Sequence, residues 1–181
     1  MELYIVGQNL KSSLSNRGIK PHLIDMLSKE AGPTIYIIGA TYEGMKAISD
    51  ECALHFLDTL VDIMEIYVQG RWAMKRLVVR FSRDAISLSC IITDPKSTDG
   101  TLLLSSKWAT DEEPDNRLHF FIENWEHPEI FGKIVGRCGR LVQSDSNTLK
   151  EICRKIKRDK KVTLTPRQAF AFDYFESHEL T

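Results

Sequence analysis

The sequence lacks the long apolar segments that place a protein in a membrane. It has no apolar run near the roughly 18 residues that a transmembrane helix needs, and it does not open with the charged-then-apolar pattern of a secretory signal. An excess of either charge is also missing, since 24 Lys and Arg stand against 25 Asp and Glu. We therefore expect a cytoplasmic protein with no membrane partner, whose net charge alone does not favour nucleic acid.

Cysteine is scarce, and its spacing excludes the common metal and redox motifs. The four cysteines are Cys52, Cys90, Cys138 and Cys153. No two of them are separated by the two-residue gap of a zinc knuckle or a thioredoxin-like site. Cys52 and His55 would share a helix face but have no third ligand nearby. We expect four reduced thiols, no metal and no bound cofactor.

The familiar catalytic motifs are absent as well. The sequence contains no Walker loop, no Gly-x-Gly-x-x-Gly fingerprint, no Gly-x-Ser-x-Gly elbow and no His-Glu-x-x-His pair. A phosphodiesterase or nuclease would have to use Asp94, His119 or Glu123, and no spacing favours them as acid and base. The sequence therefore favours a non-catalytic protein, with hydrolysis as an alternative.

What the sequence does contain is a pattern of alternating strands and helices. Two short apolar runs, 3–6 and 34–38, are typical of buried parallel strands, and 21–31 between them has the spacing of an amphipathic helix. Later runs predict further strands, including one at 64–68, before helices take over. The predicted fold is α/β, a mixed β-sheet with helices on both faces and a helical C-terminal tail.

The length of 181 residues favours one domain with a small appendage. We assign residues 1–140 to an α/β core domain. Residues 141–181 form the predicted helical extension, either packed on the core or extending from it.

Both early strands end in glycine followed by a polar turn, and this pattern predicts a ligand site. Ligands of open α/β sheets bind at the carboxyl ends of the strands, where glycine permits a close backbone approach. Backbone N–H groups and two cations would hold an anion there. The predicted binding residues are Gly7, Gln8, Asn9, Gly39, Thr41, Lys107, Trp108 and Arg117.

Each part of this site has a structural alternative. The glycines suit a tight turn with no ligand. Lys107 and Arg117 flank an acidic loop that they could hold by ion pairs instead. Trp108 suits either a base or sugar, or the protein core.

Two further features indicate partners. A basic helix suits phosphates, although a solvated helix face is the favoured explanation. Its cations include Lys150, Arg154, Lys155, Lys157 and Arg158. The last helix, which Thr165 and Pro166 should start, carries aromatics on two faces. These aromatics indicate a homodimer or protein-partner surface, or a helix folded back onto the sheet; they are Phe170, Phe172, Tyr174 and Phe175.

The order of several short motifs resembles a known family. A strand ends in Gly-Gln-Asn-Leu at 7–10, later strands read Ile-Ile-Thr-Asp at 91–94 and Leu-Leu-Leu-Ser at 102–105, and a helix carries His-Pro-x-x-Phe at 127–131. This order resembles one repeat of the phospholipase D-like fold, in the diverged form of bacterial regulatory and defence proteins, over about residues 1–140. No histidine is followed by Lys two residues later, so the family's His-x-Lys nucleophile is missing. The resemblance implies a sheet edge that accepts a phosphate-bearing ligand without cleaving it.

The sequence thus predicts a sensor or regulatory module that binds a small phosphate- or nucleotide-like anion. The alternatives are an interaction or dimerisation module that uses the aromatic helix, and a phosphodiesterase or nuclease.

Overall fold

The computed structural model describes residues 1–8, 10–14, 18–82, 86, 89–105, 118–143, 147–159 and 161–177. Within these ranges the strands are β1 (Glu2–Val6), β2 (Thr34–Ala40), β3 (Leu77–Ser82), β4 (Ser89–Thr93), β5 (Thr101–Ser105), β6 (His119–Glu123) and β7 (Asn147–Thr148). The helices are α1 (Lys11–Leu14), α2 (Lys20–Ser28), α3 (Tyr42–Lys46), α4 (Asp50–Gln69), α5 (Ala73–Arg76), α6 (Pro128–Gln143), α7 (Leu149–Arg158) and α8 (Pro166–Ser177).

The strands form one mixed sheet in the order β6-β5-β4-β1-β2-β3-β7. β1, β2 and β3 are parallel neighbours. β4 runs antiparallel to β1 on its other side, and β5 and β6 continue that half as an antiparallel meander. β7 adds two residues antiparallel to β3 at the far edge. The predicted α/β class with a mixed sheet is confirmed.

Helices cover both faces of the sheet because its central strands are apolar on both faces. Leu3 and Ile5 of β1 join a core shared with α2, α4, α7 and α8. Val6, on the other face, joins a second core to which α6 contributes Phe131 and Cys138. Side chains alternate between the two faces of a strand, so a run such as Leu-Tyr-Ile-Val supplies both cores.

The sequence prediction of a strand at 64–68 is wrong, because α4 continues to Gln69. β-branched and aromatic residues in this stretch favour a strand. However, Leu60, Ile63, Met64 and Tyr67 are all buried on one helix face. Helical spacing of the apolar side chains against a large core outweighs local strand preference.

The C-terminal segment is helical, as predicted, and it packs on the sheet. α7 buries four side chains in the first core: Leu149, Ile152, Cys153 and Ile156. In α8 the Thr165 hydroxyl accepts from Gln168 N–H at 3.3 Å, and the Gln168 side chain accepts from Thr165 N–H at 3.0 Å. This reciprocal cap fixes the predicted helix start.

α6 runs through residue 140, so the predicted division after that residue falls inside a helix.

A buried ionic cluster joins α2 to α4, and α4 to α8. Lys20 Nζ lies 2.7 Å from Asp62 Oδ1 and 2.5 Å from Glu65 Oε2, and its side chain is almost fully buried. Arg167 of α8 reaches the other oxygen of Glu65 at 2.8 Å. Gln168 donates to Asp58 at 3.0 Å. Polar contacts therefore hold α8 in place beside the apolar ones.

Candidate functional site

The carboxyl ends of the parallel strands lie side by side along one edge of the sheet, perpendicular to the strands. Gly7, Gly39 and Thr41 follow or end these strands, as the sequence predicted. β1, β2 and β3 end at this edge, and the antiparallel pairing of β4, β5 and β6 places Ser89, Ser105 and His119 along it as well. Ser105 and Leu118, the described residues on either side of 106–117, both lie at this edge.

The two glycines have packing roles at this edge. An ideal Cβ on Gly7 would lie 3.2 Å from Leu10 Cδ2, and one on Gly39 would lie 3.3 Å from Leu10 Cδ1. Neither glycine has a positive φ. Gly7 N–H donates to Ile38 O at 3.0 Å. The strand ends are thus closely packed on Leu10, and the Gly7 donor is already used within the sheet.

Thr41 is buried and caps the short helix α3. Its hydroxyl accepts from Gly44 N–H at 3.3 Å, and its own N–H donates to Ser82 O at 3.1 Å.

Gln8 is half-buried at the same edge. Asn9, Lys107, Trp108 and Arg117 lie outside the described residues. The pair of cations therefore stays a prediction, and the described backbone donors of Gly7 and Thr41 are not available to an anion.

Sequence reasoning missed a serine–histidine contact at this edge. Ser105 Oγ lies 2.9 Å from His119 Nδ1, across the β5–β6 pair. A hydroxyl and an imidazole at this distance suit nucleophile and base, but such pairs also need a group that orients the imidazole. The described contacts give His119 no carboxylate partner. Fourteen residues separate the two side chains, so only the strand register could have revealed the contact.

A second candidate site is an apolar groove between α4 and α8. It encloses about 330 Å³. Its apolar lining is Val61, Met64 and Val68 of α4 with Phe170, Ala171 and Tyr174 of α8. The Glu65–Arg167 ion pair lies at its border. Phe170 is 72% exposed and Val68 is 49% exposed, so apolar side chains of both helices face solvent here.

Aromatic side chains on two sides of α8 create this groove. Phe172 and Phe175 are buried in the core, where Phe175 meets Tyr67 edge-on with ring centroids 5.9 Å apart. Phe170 and Tyr174 lie one turn apart on the other side of the helix, with centroids at 6.4 Å. The sequence left open whether the aromatic helix folds back or presents a surface. The helix folds back with Phe172 and Phe175 and exposes Phe170 and Tyr174, and a partner at that exposed pair stays a prediction.

The basic helix α7 is amphipathic, with its cations on the outer face. Lys157 is engaged within the chain, since its Nζ lies 2.7 Å from Asp173 and 2.6 Å from Glu176 of α8. Arg154 and Arg158 are exposed. Lys157 therefore helps to hold α8, and binding of nucleic acid by Lys150, Arg154, Lys155, Lys157 and Arg158 stays a prediction.

Comparison with known proteins adds no identity. No family model, curated protein or solved structure matches this chain. The phospholipase D-like resemblance accordingly stays a prediction. Across the described ranges, no helix combines the length and apolar character needed to cross a bilayer. The same residues contain no cluster of three or more side chains suited to a metal ion.

Proposed function

We propose that this protein is a non-catalytic interaction module that binds an amphipathic helix of a partner protein in the α4–α8 groove. The observation that carries the proposal is the exposure of Phe170 beside an apolar cavity of about 330 Å³. Isolated apolar side chains are common on protein surfaces, whereas a contiguous apolar patch with a polar border is typical of binding sites.

The spacing of the groove residues favours a helical occupant. Val61, Met64 and Val68 are three and four residues apart on α4, as are Arg167, Phe170 and Tyr174 on α8. Each row covers eight residues, and its seven steps of 1.5 Å give a length of about 11 Å. A partner helix with apolar side chains at positions i, i+3 and i+7 presents a stripe of the same length. Full burial of one such side chain contributes roughly 1.5–3 kcal/mol to the free energy of binding.

A set of designed helical peptides tests this function. Peptides of about four turns, with leucine at i, i+3 and i+7 or with the same residues scrambled, are titrated with the full chain by fluorescence anisotropy. We expect the patterned peptides to bind and the scrambled ones to fail. Phe170→Asp and Val68→Asp should each weaken binding at least tenfold, because each places a carboxylate in the groove.

Ile48→Asp is the matched control. Ile48 is an exposed apolar residue that precedes α4 and lies outside the groove, so this variant should bind like the unmodified chain. Equal binding of patterned and scrambled peptides, or equal loss in the control, would contradict the proposed site.

Anion binding at the sheet edge is the second candidate, supported by the convergence of both glycine-ended strands there with the ends of segment 106–117. In a thermal-shift assay with inorganic phosphate and AMP, we expect a rise in Tm that Lys107→Ala with Arg117→Ala abolishes. Lys29→Ala with Arg140→Ala removes two exposed cations elsewhere and should leave the rise intact. A phosphate response that survives the first pair of substitutions would exclude this site.

A further inference from the structure

β6 is an apolar strand at the edge of the described sheet. It pairs with β5 on one side and ends the strand order on the other. Phe120 is 51% exposed and Phe121 is 63% exposed, so the strand presents an aromatic ring on each face. Natural edge strands are protected by Lys, Pro, bulges or short length. The sequence His-Phe-Phe-Ile-Glu of β6 contains neither Lys nor Pro. β7, at the opposite edge, is short, with only two residues.

We infer that two copies of this chain pair through β6, antiparallel, around a two-fold axis at Phe121. This interface is separate from the α4–α8 groove and does not depend on the proposed function. An antiparallel strand can pair with its own copy because the two-fold axis reverses its direction. With the axis at Phe121, residue 119 lies opposite 123, and 120 lies opposite 122.

The residues of β6 are self-complementary in this register. On one face, Phe121 meets Phe121 of the second copy, and His119 meets Glu123 of the second copy at both ends. On the other face, Phe120 meets Ile122 of the second copy twice. Aromatic, aromatic–aliphatic and hydrogen-bonded polar pairs are among the cross-strand pairs that stabilise sheets. Ser105 holds His119 through Nδ1, which leaves Nε2 for the carboxylate.

The exposed aromatic side chains near β6 supply a large part of the area that a dimer needs. Trp125 is 65% exposed just beyond β6, and Ile130 of α6 is half-exposed. With about 150–250 Å² for a whole aromatic side chain, the exposed fractions of Phe120, Phe121 and Trp125 amount to roughly 270–450 Å² per copy. Two copies reach roughly 540–900 Å² from these rings alone, against a lower bound of about 1,200 Å² for stable interfaces. The strand backbone and Ile130 add to that area.

The mass of the full chain in solution tests the interface. We expect sedimentation equilibrium between 1 and 100 µM, a range chosen around roughly micromolar affinity, to show a dimer. Phe121→Lys should shift the dissociation constant at least tenfold, because it places two ammonium groups opposite each other at the axis. Phe170→Lys changes an equally exposed aromatic residue on α8 and should leave the dimer intact. A monomer throughout this range, or a dimer unaffected by Phe121→Lys, would overturn the inference.

Two further variants test the register. Glu123→Lys should weaken the dimer, because it removes the carboxylate opposite His119. Adding His119→Glu should restore it, because a carboxylate and an ammonium group then lie opposite each other. Under copper-phenanthroline oxidation, Phe121→Cys should form a disulfide with its own counterpart. His119→Cys should not, because the two 119 positions lie about 13 Å apart along the strands. Failure of the double variant to recover, or cross-linking at 119 in place of 121, would refute the axis at Phe121.

Discussion

Replacing Lys20 by methionine tests whether the buried ionic cluster holds α2 on α4. The methionine keeps the apolar stem of lysine and removes its charge, which leaves Asp62 buried without its cation. Asp62 is 14% exposed and Glu65 is 32% exposed. Glu65 retains Arg167, so the main cost falls on Asp62.

We expect the free energy of unfolding to fall by about 3 kcal/mol, the lower end of the range for removing one partner of a buried ion pair. For a chain of this size, that loss lowers Tm by roughly 6–12 °C. Urea unfolding at pH 7, followed by circular dichroism, measures it. Lys29→Met is the control: Lys29 lies 2.6 Å from Asp25 in an exposed pair, so its loss should cost no more than about 0.5 kcal/mol.

A double variant that also replaces Asp62, and the pH dependence of the stability loss, test the same ionic cluster further. Lys20→Met with Asp62→Leu should recover much of the loss, because no uncompensated carboxylate remains. Burial raises the pKa of Asp62 despite its hydrogen bond from Lys20. In Lys20→Met that opposing bond is absent, so the deficit should shrink as pH falls and Asp62 takes up a proton. A single variant within 0.5 kcal/mol of wild type, or a double variant no more stable than the single, would refute the reasoning.

The sign of the Lys20 contribution at high pH follows from its pKa. Burial lowers the pKa of Lys20, but hydrogen bonds with Asp62 and Glu65 outweigh burial and leave it raised above 10.5. The stabilisation is therefore fully present below pH 10.5 and is lost as pH rises through the folded-state pKa. This loss should be missing from the alkaline unfolding profile of Lys20→Met.

Three further substitutions probe the core and one turn. Tyr67→Phe removes a buried hydroxyl that donates to Leu77 O at 2.9 Å, and urea unfolding should show a loss of about 1 kcal/mol. Burial raises the pKa of Tyr67 to about 12, so wild type should lose more stability than this variant between pH 10 and 12, and equal losses would contradict the assignment. Gly100→Ala should cost about 2 kcal/mol or more in the same assay, because its Cβ would lie 2.5 Å from Asp94 O; an unchanged midpoint would show that the turn yields. Phe172→Ala should cost roughly 3–5 kcal/mol in urea unfolding, and a loss below 1 kcal/mol would show that α8 contributes little to the core.

The sheet was predictable where local pattern and global packing agree. β1 and β2 are short apolar runs followed by glycine and a polar turn, and both faces of each strand are buried. The end of α4 was not predictable from local preference, since Ile66, Tyr67 and Val68 favour a strand in isolation. The helical spacing becomes favourable through the core that α4 shares with the parallel strands and with α2, α7 and α8.

The candidate surfaces depend on contacts between residues far apart in the chain. The aromatic pattern of α8 predicted two faces, and the structure assigns one to the core and one to solvent. The groove also needs α4, which lies about 100 residues earlier in the chain than α8. Glu65 and Arg167, the ion pair at the border of the groove, are 102 residues apart. The Ser105–His119 contact needs a strand register that no spacing in the sequence reveals.

The central position of β1 has a consequence for synthesis of the chain. β1 is translated long before its antiparallel neighbour β4: Glu2 N–H donates to the carboxylate of Asp94, 92 residues further on. Ribosomes add about 5–20 residues per second, so roughly 5–18 s pass before that neighbour is translated. During this interval the side of β1 that later pairs with β4 has no strand partner, and water takes the hydrogen bonds of its backbone groups.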